Sequence, residues 1–492
     1  MSAQKKPKLT LRQNGLVDDT EDQSITLGIY DVILPCRNFQ IDHKAAEVGK
    51  VSITAEFLLR FLRATGKARE DAVAAFFGYD LREMAFVVGE VEAEGLVARS
   101  DGWLSLTLSG EAVFAPGSDE PAIYEVEERT GTYGFDLIAM APQQRLHLSK
   151  FETRLPELQI VDAERVSSAV PSVERSFKRF YAELAPRRAE AGSSRRSLYS
   201  IDAVDPKDRF SSVVRILLTA KAAKPTEGEA DLREWRAEFE LADREDIAVA
   251  AARFTETLRS DRRSDDTEAH AELARLAPEF LKDFMRSGGL AVERFYREAL
   301  SRMGEARKDR PTIPLLGSFF TPDNARRLME VASYGLRALQ HTPETIYWLP
   351  PQTACWGSAT NLPELVDYFK DALTNRNEEN GLTVSQPLAV ALSQGKPARW
   401  TEAAFDCCGH SDLLRLPSGL ELLVLPGAFA AALVHAPISA QSGHPVPIGF
   451  ASFDPAVVNR TTSLLREHVG GFGLSDLLTR DLTDLEDADE DP

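Results

Sequence analysis

The sequence predicts an α+β multidomain chain, and three observations lead there. At 492 residues it is too long for one ordinary core, and length alone points to about three domains. Hydrophobic residues make up 43% and charged residues 27%, a globular rather than a disordered composition. The pattern also changes along the chain: helical periodicity with a hairpin near the N-terminus, charged helical text in the middle, then short strands alternating with helices beyond Pro311. These changes divide the chain into an arm and edge strand (1–45), a compact helical module (46–118), a small β extension (119–158), a helical region with a β insertion (159–310), an α/β region (311–472) and an acidic tail (473–492).

Residues 25–39 alternate as a strand does and are expected to form an edge strand on the next module. Between residues 51 and 114, Ile53, Phe57, Leu58, Phe61 and Leu62 recur at helical spacing. A second short helix holds Ala72, Val73, Phe76 and Phe77. Asp80 caps a third helix, whose Leu81, Met84, Ala85, Val88 and Val91 are expected to face inward. Gly95 stops it, and residues 96–107 read as two strands around the Asp101-Gly102 turn. Three helices and a hairpin in so short a stretch make a winged helix.

Residues 160–310 read as helices, interrupted by an antiparallel meander with strands at 197–201, 211–218 and 235–241. In the α/β region, strands are expected at 346–349, 382–385, 412–416, 420–425, 429–435 and 448–453, with helices at 362–373 and 455–469.

Composition removes several function classes. Residues 1–10 are polar and basic with no apolar core behind them, so no secretory leader is expected. No apolar run reaches the roughly 20 residues of a membrane span; residues 420–438 are broken by Pro426, Gly427 and His435 and read as buried strands. Four cysteines (Cys36, Cys355, Cys407, Cys408) are too few for a disulfide scaffold, so a reducing, cytoplasmic setting without membrane contact is expected. A net charge of −19 argues against a general polyanion-binding surface.

A winged helix invites a DNA-binding reading through its third helix. Here the exposed stripe is expected to be Glu83, Val87, Glu90 and Glu94, with Arg82 the one basic residue, and carboxylates repel phosphates. Protein contacts or dimerisation therefore stand level with DNA binding for this module. The better nucleic-acid candidate is Arg175, Lys178, Arg179, Arg187, Arg188, Arg195 and Arg196, interleaved with Phe177, Phe180 and Tyr181. Cations beside aromatic rings grip phosphates while bases stack, although rings at helical spacing also suit a core and Arg pairs a solvated loop.

In residues 315–470 a strand and helix precede His410-Ser-Asp412, then a Pro417-Ser-Gly419 turn, a strand-turn-strand, and Asp454-Pro455 leading into a helix. That order resembles a phospholipase D-like domain. The family's chemistry uses His-x-Lys, with His as nucleophile and Lys holding the phosphate. Here Asp412 stands where Lys is needed, and Gly357-Ser-Ala-Thr-Asn361 resembles the family's Gly-Ser-x-Asn segment without His-x-Lys ahead of it. The resemblance therefore implies an inactive scaffold, with His410 the one weak catalytic candidate.

Cys407, Cys408 and His410 are poorly spaced for one metal ion, and no Walker loop or dinucleotide fingerprint occurs, so neither metal nor cofactor is expected. His435 and His444 flank a Gly/Pro/Ser loop without an assigned partner. A winged helix joined to a phospholipase D-like domain resembles prokaryotic defence-system components, in which such chains accompany ATPases or nucleases. The expectation is a non-catalytic subunit or adaptor of a nucleic-acid-directed, anti-phage defence assembly, with protein partners (ATPase or nuclease subunits), DNA or RNA nearby, and a homodimer left open. The alternatives are an active nuclease using His410 and a winged-helix DNA-binding regulator.

Overall fold

The computed structural model describes residues 23–48, 52–119, 121, 124–160, 163–184, 196–235, 245–301, 304–339, 342–379, 386–411 and 416–469. It shows a mixed α/β chain with several sheets. Its N-terminal half is organised by one strand, β1 (Ser24–Val48). The expected edge strand instead runs on to Val48 and sits inside a four-stranded sheet, between two long partners whose distance in sequence hides them from local reading.

The helical module follows, with α1 (Ile53–Thr65), β2 (Lys67–Arg69), α2 (Glu70–Phe77), α3 (Leu81–Ala93), β3 (Val97–Ser100), β4 (Trp103–Leu106) and α4 (Leu108–Ala112). Asp80 caps α3, its carboxylate accepting from the Arg82 and Glu83 amides while Glu83 reaches back to the Asp80 amide. The three strands pair in the order β2-β4-β3, with Asp101 and Gly102 at the hairpin turn. A core of its own includes Leu58, Leu59, Leu62, Val73, Met84, Val88 and Val91.

The chain returns to the first sheet as β5 (Tyr124–Asp136), paired along β1, so this part of the expected β extension belongs to that sheet. After α5 (Ala169–Leu184), β6 (Arg196–Lys221) pairs antiparallel with β1 over most of its length, and β7 (Glu229–Asp231) closes the order β5-β1-β6-β7. The expected strands at 197–201 and 211–218 are thus one strand. The polar text between them, Asp202 to Arg209, reads as a turn but pairs with β1, and Pro206 falls where the register shifts between Arg37 and Phe39. Of the third expected strand, residues 236–241 lie outside the described residues.

Helices α6 (Glu245–Glu256), α7 (Asp266–Leu276) and α8 (Val292–Ser301) lead into the C-terminal sheet. This contains β8 (Thr312–Leu316), β9 (Thr345–Leu349), β10 (Leu388–Gln394), β11 (Cys407–Ser411), β12 (Leu420–Leu425), β13 (Phe429–Ala436) and β14 (Val446–Ser452), in the order β8-β14-β13-β12-β9-β10-β11. Strands β9, β10 and β11 are parallel; the other pairings are antiparallel. The strands expected at 382–385 and 412–416 fall at 382–385 and 412–415 outside the described residues; β10 and β11 are strands that the sequence reading did not place.

Helices α9 (Pro322–Ala338), α10 (Asn361–Glu379) and α11 (Arg399–Ala404) cover one face of this sheet. Helices α6, α7, α8 and α12 (Pro455–Val469) cover the other. Alternate residues of β12 serve the two faces, Leu420, Leu422 and Val424 on one and Leu423 and Leu425 on the other. That explains the unbroken apolar text of this strand, since a strand covered on both sides has no polar face to alternate with.

Candidate functional site

In α/β sheets the place for ligand chemistry is the crevice beyond the carboxyl ends of the parallel strands. On that side of the sheet, the space between the ends of β8 and β9, which are separated by β14, β13 and β12, is filled by the chain itself. The loop after β8 meets β1 through the Ser318 amide, which donates to the Leu27 carbonyl at 2.8 Å, and the loop after β9 meets it through the Asp31 amide, which donates to the Ser358 carbonyl at 2.5 Å. Gly317, at φ +86°, lets the first loop approach; a Cβ there would lie 2.5 Å from the Thr26 carbonyl oxygen.

Asp31 is the principal polar fastener. Its buried carboxylate accepts from Arg215 Nε at 2.8 Å and Nη2 at 2.9 Å, and from the Thr360 amide at 2.7 Å and hydroxyl at 3.0 Å. The bidentate pair holds the Arg215 guanidinium above its ordinary pKa. One carboxylate thus joins β1, β6 and the start of α10.

Beneath this contact lies a second buried carboxylate. Glu421, fully buried on β12, accepts at Oε1 from the indole nitrogens of Trp348 and Trp356, both at 2.9 Å, and Oε2 lies 2.6 Å from His435 Nε2 on β13. Only about 20 Å³ of space remains between this cluster and β1, lined among others by Tyr30, Ser318 and His435, room for about one water. Burial pushes the Tyr30 hydroxyl well above its ordinary pKa, with Cys355 and Glu421 adding to the effect. Chemically the cluster is satisfied and closed: it braces the sheet and has no face on which a substrate could sit. Sequence reading left His435 and His444 without partners. The structure gives His435 its carboxylate, and sets His444 Nδ1 3.0 Å from the Gly228 amide and Nε2 3.0 Å from the Thr255 carbonyl.

The other expected residues lie apart from this crevice. His410 is exposed on β11, the edge strand, where it lines an opening with Lys396, Glu402 and Asp406. Position 412 lies outside the described residues. Gly357 lines the small cavity near His435, so the two resembling segments belong to different openings. Cys407 and Cys408 are partly exposed on β11, and the burial that remains raises the Cys408 thiol pKa to about 11. Among the described residues no three His, Cys, Asp or Glu side chains converge as a metal site.

Arg175, Lys178 and Arg179 share the exposed face of α5. Phe177, Phe180 and Tyr181 are buried, Phe177 and Tyr181 against His43, so none of these rings offers a surface for a base. The Arg175 guanidinium contacts the Pro171 carbonyl and the Ser172 hydroxyl, and with Arg179 it lines a depression that also holds Glu245 and Asp246. Arg187, Arg188 and Arg195 lie outside the described residues, as does the side chain of Arg196.

The helical module holds what sequence reading missed. Its true inward stripe on α3 is Met84, Val87, Val88 and Val91, the i, i+3, i+4, i+7 set. Val87, expected outside, is therefore buried, while Leu81, expected inside, is exposed. Phe86 is 80% exposed, Phe76 68% and Leu108 88%, with Phe57, Tyr79 and Trp103 also exposed. Phe57 and Phe61 lie one turn apart on α1; the Phe61 ring meets Phe76 at 4.8 Å, and Thr54 Oγ1 meets the Tyr79 hydroxyl at 3.1 Å. Several of the module's cations are engaged locally: Arg99 with Glu70, Arg60 with Glu56, Arg69 with Asp71, and Lys67 over Trp103. An exposed apolar residue pair at i and i+5 of one helix was the available signal, had the 3.6 period been set on Met84.

No family model, curated protein or solved structure matches the chain. Among the described residues no helix is long and apolar enough to cross a membrane.

Proposed function

We propose that this chain is a non-catalytic adaptor subunit of a nucleic-acid-directed assembly, with residues 52–112 as its docking head. The observation that carries the reading is the contrast between a filled crevice and an uncovered apolar head. The space at the carboxyl ends of β8 and β9 is occupied by β1 and by the Glu421–His435 cluster. Meanwhile Phe57, Phe76, Tyr79, Leu81, Phe86 and Leu108 face outward from a module small enough that such exposure calls for a partner.

The head reads as a winged helix used for protein contact. Asp80, Glu83, Glu90, Glu92 and Glu94 on and beside α3 repel phosphates and fit a partner surface that is apolar at its centre and basic at its rim. An ATPase or nuclease subunit presenting such a surface is the proposed occupant. The C-terminal region reads as a phospholipase D-like scaffold without its chemistry, and the exposed Arg175, Lys178 and Arg179 are where nucleic acid would pass closest.

The test is to purify the tagged chain from its native host with nuclease treatment, beside the Phe86→Ser/Leu81→Ser variant. An ATPase or nuclease subunit in fixed stoichiometry, lost from the folded variant, is the expected result. A chain that returns alone, or nuclease activity in the purified chain that His410→Ala abolishes, overturns the reading.

A further inference from the structure

The helical module exposes apolar side chains from two places, and the charges around them differ in sign. Along α1, Phe57, Phe61 and Ala64 fall at i, i+4 and i+7, and Phe76 of α2 joins them through its contact with the Phe61 ring. Arg60 stands beside this ridge, its guanidinium 5.5 Å from the centre of the Phe57 ring, and Arg63 follows three residues on. Arg63 and Lys67 lie over the rings of Phe114 and Trp103 and pair with no carboxylate among the described residues. On α3, by contrast, Leu81 and Phe86 share their helix with Arg82 and with Glu83, Glu90 and Glu92. A partner suited to α3 is basic, and one suited to the α1–α2 ridge is acidic.

The chain supplies an acidic segment of matching pattern. Residues 470–492 lie outside the described residues. In the sequence, Leu474, Leu477, Leu478, Leu482 and Leu485 recur at i, i+3, i+4, i+8 and i+11, which is one side of a helix, and Ser475 is a suitable N-cap. Asp481 falls at i+7, among those leucines. A surface that takes this side must therefore be apolar and offer a cation within it, because a carboxylate left unpaired there is costly. Beyond Leu485 the segment carries Glu486, Asp487, Asp489, Glu490 and Asp491 with no cation.

Two other surfaces fail this description. The carboxylates of α3 repel the segment. The cations of α5, Arg175, Lys178 and Arg179, are interleaved with rings that are buried. The ridge of Phe57, Phe61 and Phe76, with Arg60 and Arg63 along it, meets both requirements.

We propose that residues 474–485 dock as an amphipathic helix on the α1–α2 ridge of the same chain, with Asp481 at Arg63 and the acids that follow toward Lys67. This rests on the reading of residues 52–112 as a docking head, and it divides that head. The chain's own segment covers Phe57, Phe61 and Phe76, and Leu81 and Phe86 are left to the partner.

The test follows hydrogen exchange of the α1 amides by mass spectrometry in the full chain, at low ionic strength and without any partner. Leu478→Ser/Leu482→Ser lies far in sequence from the head, so an effect on α1 reports contact. It should speed α1 exchange about tenfold. Arg63→Glu should do the same, and Arg63→Glu/Asp481→Arg should restore the slow exchange, which a merely weakened α1 would not do. Unchanged α1 exchange in the leucine variant overturns the proposal, as does a charge-swapped chain no slower than Arg63→Glu alone. Protection that grows with chain concentration assigns the segment to a second copy and also overturns it. Failure of the docking-head reading shows separately, as a chain that returns from its host without a partner.

Discussion

Every residue of β12 and β13 is buried, Glu421 and His435 included, whereas α3 of the helical module turns Leu81 and Phe86 to solvent a few residues from its own core. The two regions differ in how many sides are covered. The C-terminal sheet is packed on both faces, so a charge inside it must be fully bonded; the two indole nitrogens and one imidazole around Glu421 do this. The helical module has one small core and more large apolar side chains than that core can hold. Part of its surplus adjoins the half-buried Phe61, whose ring meets the exposed Phe76 and which lies one turn from the exposed Phe57. Polar groups inside the sheet and apolar groups outside the helical module are both exceptions to ordinary burial, and the first kind is fully bonded while the second faces solvent.

The contrast can be tested by removing one exception at a time. The largest effect belongs to Glu421→Ala, which strands two indole donors and His435 in the core. A loss of about 3–5 kcal/mol is expected by urea denaturation, and a loss under 1 kcal/mol would show that the cluster is incidental. Asp31→Ala comes next, freeing a partly buried Arg215 and loosening β1 from the loops it covers. About 3 kcal/mol should go, with Tyr30 becoming accessible to solvent quenchers; an unchanged Tyr30 would mean that apolar contacts alone hold the plug.

Asp136 sharpens the comparison through pH. Burial raises its carboxyl to about 6, against the lowering effect of the Ile138, Ala139 and Ala141 amides that donate to it. A carboxyl raised in the folded state contributes stability that is full below its unfolded pKa and is lost as pH rises through the folded value. Relative to Asp136→Asn, the native chain should therefore lose on the order of 2–3 kcal/mol between about pH 4 and pH 6. A flat difference curve over that range would contradict it. The smallest effect is expected at the head: Phe86→Ser should change unfolding stability by no more than about 0.5 kcal/mol, in contrast to any β12 substitution. A loss above about 2 kcal/mol would instead place Phe86 in a core.

Much of the fold was legible wherever one local rule decided it. The Asp80 cap, the Asp101-Gly102 turn and the helix from Pro455 depend on residues within a few positions, and each lies where the sequence placed it. The apolar run of β12 and β13 was equally plain. The candidate site was not legible. Glu421 looked like one charge in a strand, and His435 like a histidine without a partner, because their pairing needs β12 and β13 side by side and two tryptophans brought from elsewhere. Nor could spacing reveal that Asp202 to Arg209 continues a strand, since its partner lies over 160 residues away in β1.

By itself the sequence determined that this is a mixed α/β chain, where its capped helices and buried hairpin lie, and that its third helix carries acid where a DNA reader carries base. Those features follow from periodicity, caps and charge, which act over a few residues. Only the tertiary structure decided which crevice is filled and which is open, and which phenylalanines are core and which are surface. Burial is a property of what packs against a residue, and here the covering strand, β1, is supplied by the far end of the chain.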